Sequence, residues 1–223
     1  MAPAPRHFVF DAYGTLFDVH SAAARYTDDI GPTWERLSQT WRAKHLEYTW
    51  IYAQIGQRKS FWELTERSLD FAIASVGGLG DDSLRNKLLD AYMTLGAYPE
   101  VREVLGGLKG AGCTTAILSN GDPDMLEAAI GSAGLGDVLD ASLSVVDAGV
   151  FKPNFKVYDL VVDRFGCERA SVSFQSSNRW DAAAAKAYGF GVCWINRAGQ
   201  PAEYPDLAPD HTLDNLRPLL ELV

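Results

Sequence analysis

The chain has 223 residues, 47% of them hydrophobic and 22% charged, with a formal net charge of −9 at pH 7. That length suits one α/β domain carrying a sizeable insertion, or two small domains, and the excess of acid argues against nucleic acid or an anionic membrane surface as partner. No window has the apolar length of a membrane span, and the opening residues MAPAP hold no signal-peptide core, so a cytoplasmic location is expected.

Phe8-Val9-Phe10 reads as a buried strand. Asp11 follows it directly, where a parallel sheet delivers side chains into the crevice at its carboxyl edge, and Gly14 permits a tight turn. From residue 20 to 96 helical patterns take over. Trp34, Leu37, Trp41, Tyr48, Tyr52 and Ile55 recur at roughly helical spacing, with Arg42 and Leu46 four apart on a neighbouring face. Residues 60–76 predict a second helix, with Ser60 as N-cap and Glu63 completing a capping box. Gly77, Gly78 and Gly80 end it, and Asp81 or Asp82 starts a third helix that runs to about Leu95.

From Tyr98 onward helices and strands alternate. A helix over 99–109 precedes a strand over 114–118, the loop Ser119-Asn120-Gly121-Asp122 and a helix over 124–133. A weaker strand over 141–146 leads to a helix over 154–165, with Pro153 in its first turn. A strand over 171–174 ends in QSSNRWD, followed by a helix over 181–188 and a strand over 191–195. Residues 201–209 read as a surface loop, 211–213 as an edge strand, and the C-terminus as a last helix. Such alternation specifies a doubly wound parallel sheet, with 1–17 and 97–223 as the α/β core and 18–96 as a helical insertion. Cys113, Cys167 and Cys193 are scattered, without metal-ligand spacing or a disulfide framework.

Four strand-end clusters carry the polar chemistry: Asp11 to Thr15, Ser119-Asn120, Lys152, and Ser176 to Asp181. A lone Asp after a strand more often caps the next segment, and the other three clusters raise Asp11 above that reading. The series DAYGTLFD, LSNG, KP and SSNRWD resembles the haloacid dehalogenase superfamily, and within it the (S)-2-haloacid dehalogenases rather than the phosphatases. The resemblance covers nearly the whole chain. It implies a Rossmann-like haloacid dehalogenase fold with an inserted helical cap domain, hydrolysis of short 2-haloacids, no cofactor and a homodimer. Phosphatases of this fold carry Asp-x-Asp at the first motif, where Tyr13 stands here, and a metal-binding Asp that falls at Ser177. A phenol and a hydroxyl do not replace two carboxylates around a hard dication, so no metal is expected. A halide leaves as a stable anion and needs no proton.

On this resemblance Asp11 is the nucleophile that forms an aspartyl ester, and Lys152 keeps it charged. Thr15 and Ser177 orient Asp11. Arg42 and Asn120 bind the halide. Ser119 holds the substrate carboxylate with help from Lys152, and these cations capture an anion against the chain's overall field. Asp181 activates water, with Ser176 and Asn178 orienting it or Lys152, and it also stands where it could N-cap a helix. Tyr13, Leu46, Phe61 and Trp180 form the apolar pocket, and Tyr158 belongs to the site without an assigned role. Ala43 and His45 stand where the family commonly has Gln, and the loss at Ala43 is expected to widen the pocket or admit water. A Mg²⁺-dependent small-molecule phosphatase is the alternative enzyme, and a non-catalytic binding protein with the same fold is the third reading.

Overall fold

The computed structural model describes residues 6–81 and 83–223. Among them the elements run β1 (His7–Phe10), α1 (Ser21–Ala24), α2 (Thr27–Ile30), α3 (Trp34–Gln54), α4 (Phe61–Ser75), α5 (Ser83–Met93), α6 (Val101–Gly110), β2 (Thr114–Ser119), α7 (Pro123–Ser132), β3 (Ala141–Ser144), α8 (Phe155–Phe165), β4 (Val172–Ser176), α9 (Arg179–Tyr188), β5 (Gly191–Ile195) and β6 (His211–Leu213). The opening MAPAP and Asp82, one of the two expected starts of the third helix, lie outside the described residues.

All six strands join one parallel sheet in the order β3-β2-β1-β4-β5-β6. The chain fills one side of β1 and then crosses to the other, which opens a crevice at the carboxyl edge beside β1. Phe8, Val9 and Phe10 are wholly buried, as a central strand covered on both faces requires. Phe10 pairs with Ile117 on β2 and with Gln175 on β4. That register brings Asp11, Ser119-Asn120 and Ser176-Ser177 to one edge.

Between β1 and α6 the chain makes only helices. α3 and α4 lie along each other, and the buried seam of α3 is Leu37, Ser38, Trp41, His45 and Thr49. The sequence stripe drifts off this seam: Tyr48 and Tyr52 are half-buried and Ile55 is exposed. The reason is partner choice. Trp41 Nε1 donates to the Thr65 carbonyl at 3.0 Å and His45 Nε2 meets Thr65 Oγ1 at 3.2 Å, so the polar His45 faces α4 beside Trp41, where a purely apolar reading leaves it out.

Other element ends also differ from expectation. Ser60 caps α4 by accepting the Glu63 N–H at 3.0 Å, but the Glu63 carboxylate pairs with Lys59 and Arg67 instead of turning back to close the capping box. Pro153 lies before the N-cap of α8, which is Asn154. Asn178, not Asp181, takes the N-cap position of α9. The third helix ends at Met93, and the last helix is a 3₁₀ turn, Arg217–Glu221. No helix among the described residues is long and apolar enough to cross a membrane.

Candidate active site

Asp11 sits one residue beyond β1, its N–H bonded to the Gln175 carbonyl at 2.9 Å, so its position is an extension of the sheet ladder. Asp11 is 6% exposed and its carboxylate has three donors. Lys152 Nζ donates to Oδ1 at 3.2 Å, while Thr15 Oγ1 and Asn178 Nδ2 donate to Oδ2 at 3.0 and 2.8 Å. A carboxylate so held is fixed in rotamer, with an ammonium beside one oxygen and two neutral donors on the other. Gly14, at φ +95°, makes the turn that brings Thr15 back under it.

Lys152 is 1% exposed and bridges two carboxylates, reaching Asp181 Oδ2 at 2.9 Å as well as Asp11. Burial alone pushes its ammonium down, but the charges of Asp11 and Asp181 outweigh that and hold its pKa above the ordinary lysine value. Asp181 is wholly buried, accepting from Tyr158 Oη at 2.6 Å and from Ser176 Oγ at 3.0 Å besides Lys152. Burial raises its pKa, the Lys152 charge opposes that rise, and the nearby Asp11 adds to it. Tyr158, which the sequence placed in the site without a role, is thus a donor to Asp181.

Two expected contacts are rearranged. Ser177 does not reach Asp11; its N–H donates to Thr15 Oγ1 at 2.8 Å, one step removed from the carboxylate. Asn178 orients neither Asp181 nor Lys152. Its Nδ2 serves Asp11, and its Oδ1 accepts from Arg42 Nη2 at 3.1 Å. The side-chain amide of Asn178 therefore joins the helical insertion to Asp11.

Arg42 comes from the middle of α3 and also donates to the Tyr13 carbonyl at 2.9 Å. Asn120 Oδ1 accepts the Lys152 N–H at 2.9 Å, which fixes the amide and leaves its NH₂ for another partner. Ser119 Oγ accepts the Gly121 N–H at 3.0 Å. Gly121 is required by packing: a Cβ there would fall 2.7 Å from the Tyr13 ring. Arg42, Leu46, Phe61, Ser119, Asn120, Asn178 and Trp180 line one small cavity with Asp11 and Tyr13. Lys152 and Asp181 stand behind Asp11, outside that lining.

The apolar side of the cavity is an aromatic stack. Tyr13 lies 5.3 Å from Phe61 and 5.6 Å from Tyr92, which in turn packs on Trp41 at 5.0 Å. Burial holds the Tyr13 phenol well above its ordinary value and that of Tyr92 up to about 12, so both stay neutral. Ala43, expected to affect pocket width, is exposed and is not among the residues lining this cavity. Among the described residues no three His, Cys, Asp or Glu side chains gather as a metal site needs.

Residues 5–189 match the family of haloacid dehalogenase-like hydrolases. This chain belongs to that family. Within the haloacid dehalogenase-like hydrolases it is 44% identical to (S)-2-haloacid dehalogenase 1 of Pseudomonas sp. (strain CBS-3), over 98% of this chain and 96% of the relative. It is 42% identical to (S)-2-haloacid dehalogenase 4A of Burkholderia cepacia, over 100% and 96%. Among solved structures, a dehalogenase superposes with a TM-score of 0.97 at 42% identity, covering 100% of this chain and 99% of that one. The L-2-haloacid dehalogenase of Xanthobacter autotrophicus with chloropropionic acid covalently bound gives 0.88 at 36% identity, covering 98% of each.

Sequence reasoning missed Tyr92, whose position on α5 gives no local sign that it reaches Tyr13. It also missed Asp122, whose carboxylate accepts the N–H groups of Phe61 and Trp62 at 3.1 and 2.8 Å. Asp122 follows SNG and starts α7, so it reads locally as a cap for that helix, yet it serves the first turn of α4.

Proposed function

We propose that this chain hydrolyses short (S)-2-haloalkanoic acids to (R)-2-hydroxyalkanoic acids and halide, without a metal, through an ester on Asp11. The observation that carries the reading is the Asp11 carboxylate at the tip of β1, held by an ammonium and two neutral donors, with a phenol where a second acid would protonate a leaving group. An ammonium supplies the positive charge that a dication supplies in phosphoryl transfer. The relatives named above, dehalogenases by their own names, support the same chemistry.

One Asp11 oxygen attacks the substrate's C2 from the side opposite the halogen, the C–X electron pair leaves with the halide, and the configuration inverts. Arg42 and the free NH₂ of Asn120 receive the departing anion. Ser119 holds the carboxylate beside them, and Leu46, Phe61, Trp180 and Tyr13 surround the alkyl group. Water then attacks the ester carbonyl of Asp11, and Asp181 takes its proton. Burial raises the affinity of Asp181 for that proton, which then passes to the alkoxide oxygen of the departing hydroxy acid. The ester breaks at the Asp11 acyl carbon, so solvent oxygen enters Asp11 first and the hydroxy acid keeps the oxygen delivered by the enzyme. Residues 18–96 act as a cap over the core in this scheme.

Free Cys113, Cys167 and Cys193 suit a reducing cytoplasm. The exposed Ile51, Ile55 and Phe71 on the cap offer an apolar face to a second copy, supporting a homodimer. Purified protein should release chloride from (S)-2-chloropropionate in excess EDTA. In single turnover in H₂¹⁸O the peptide containing Asp11 should gain label. Label found only in the product would mean direct attack by water, and absence of chloride release would remove the assignment.

A further inference from the structure

The cavity at Asp11 encloses only about 10 Å³. Behind its apolar wall lies a second cavity of about 540 Å³, between the end of α3 and the chain around Lys152. Its lining includes Trp50, Ala53, Val150, Phe151 and Tyr204. The two spaces come within one side chain of each other at two points. Trp180 lines both, and Phe61 of the first packs 6.4 Å from Phe151 of the second.

Trp180 is the weaker partition. Its indole N–H is buried and has no hydrogen-bond partner, although a buried indole normally finds one. Its ring meets the partly exposed Trp50 edge-on, centroids 5.4 Å apart. A side chain held by packing alone can change rotamer, and turning toward the larger, open space would give its N–H a water partner.

We propose that the 540 Å³ cavity behind Trp180 is a second acyl subsite, which takes the apolar 2-substituent of a longer 2-haloacid when the indole turns aside. This rests on the dehalogenase reading above and extends it to a substrate class. The carboxylate and halogen stay at Ser119, Asn120 and Arg42, and the alkyl chain alone crosses the wall. Continuity with the catalytic wall and a lining that is mostly apolar, with Gln54, Lys152 and Asn154 as its polar members, identify the occupant: a hydrocarbon chain attached to a group already fixed at Asp11.

The test compares kcat/KM for (S)-2-bromooctanoate with that for (S)-2-bromopropionate, measured by bromide release. Ala53 and Gln54 line the second cavity but not the first, so Ala53→Trp and Gln54→Trp each fill it from the end of α3. Each methylene removed from water is worth about fourfold in kcat/KM, and excluding two or three should lower the octanoate-to-propionate ratio by about 15- to 60-fold. The propionate value itself should stay near wild type. Gln54 is exposed, so its variant keeps the fold if Ala53→Trp does not. A ratio unchanged in both variants, or a wild-type enzyme that turns over bromopropionate but not bromooctanoate, overturns the subsite. Failure with bromopropionate would instead strike at the dehalogenase reading.

Discussion

His45 shows what a single buried side chain can impose. It is 1% exposed, its Nε2 is 3.2 Å from Thr65 Oγ1, its ring packs 4.1 Å from Phe61, and burial with the nearby Arg42 charge lowers its pKa to about 3. The unfolded chain therefore takes up this proton near pH 6.5 and the folded chain does not. The stabilisation is whole above pH 6.5 and is lost as pH falls toward 3, at about 1.4 kcal/mol per pH unit. His45→Gln cannot titrate, so urea denaturation from pH 7 to 4 should show a shallower fall in stability for the variant than for wild type. Parallel curves would mean that His45 is not buried neutral. Arg42 is a different case, because its guanidinium bonds the core at Tyr13 and Asn178 and lines the cavity. Arg42→Ala should keep the fold and lower kcat/KM for (S)-2-chloropropionate by about 100-fold or more. Near-normal chloride release would remove Arg42 from the site. Asp11, Lys152 and Arg42 are legible because each belongs to a motif at a strand end or a helix face. Their wiring is not, because whether Asn178 turns its amide to Asp11 or to Lys152 depends on rotamers that no spacing encodes.

Helix starts are where element-level reading and tertiary demand part company. Asp181 looks like a cap, but Lys152, Tyr158 and Ser176 draw its carboxylate into the interior, and α9 starts at Arg179 instead. A cation in a first turn opposes the helix dipole. Arg179 is accommodated because its Nη2 donates to the carbonyls of Glu203, Tyr204 and Leu207. On α4 the converse holds. Asp122, two residues beyond Asn120, sets a carboxylate against the first two N–H groups of the helix, while Ser60 takes the third. The core loop that carries Asn120, the proposed halide ligand, thus also docks α4, which carries Phe61. Partners 60 residues apart leave no trace in local sequence. Asp122→Ala should cost about 1–2 kcal/mol in urea denaturation and raise KM for 2-chloropropionate more than it lowers kcat, because Phe61 loses its placement while Asp11 does not. Asp122→Asn, which keeps one acceptor oxygen, should fall between. Equal loss in kcat and KM effects from both variants would mean that Asp122 does no more than support the fold.

At the scale of the molecule, the change from strand alternation to unbroken helical pattern over 20–96 made the insertion readable, and alternation after Tyr98 made the sheet readable. The near-closure of the cavity at Asp11 was not readable, since it depends on how Tyr13, Phe61 and Trp180, from three separate stretches of chain, meet. The two chain segments joining insertion to core are themselves hydrogen-bonded. Phe17 bridges Ala97 in antiparallel fashion, Tyr98 N–H donates to the Leu16 carbonyl at 2.9 Å, and Asp18 N–H donates to that of Gly96 at 3.1 Å. The ends of the insertion are therefore adjacent, and β1 owes its place to β2 and β4, both outside it. Joining Asp18 to Gly96 through Asn-Gly, which favours a tight reversal between antiparallel segments, should leave a core that folds and does nothing. Asp11, Lys152, Asp181 and Tyr158 all remain, so the buried charge network can form. Arg42, Leu46 and Phe61 are gone, and with them the proposed halide cation and part of the cavity lining. Circular dichroism should show a cooperative urea transition, and no chloride should appear from (S)-2-chloropropionate. The bared Tyr13 and Phe151 should make this shortened chain bind a hydrophobic dye that the full chain excludes. A product without cooperative unfolding would show that the sheet needs the insertion to fold, and residues 18–96 would then be part of one cooperative unit and not a separate cap.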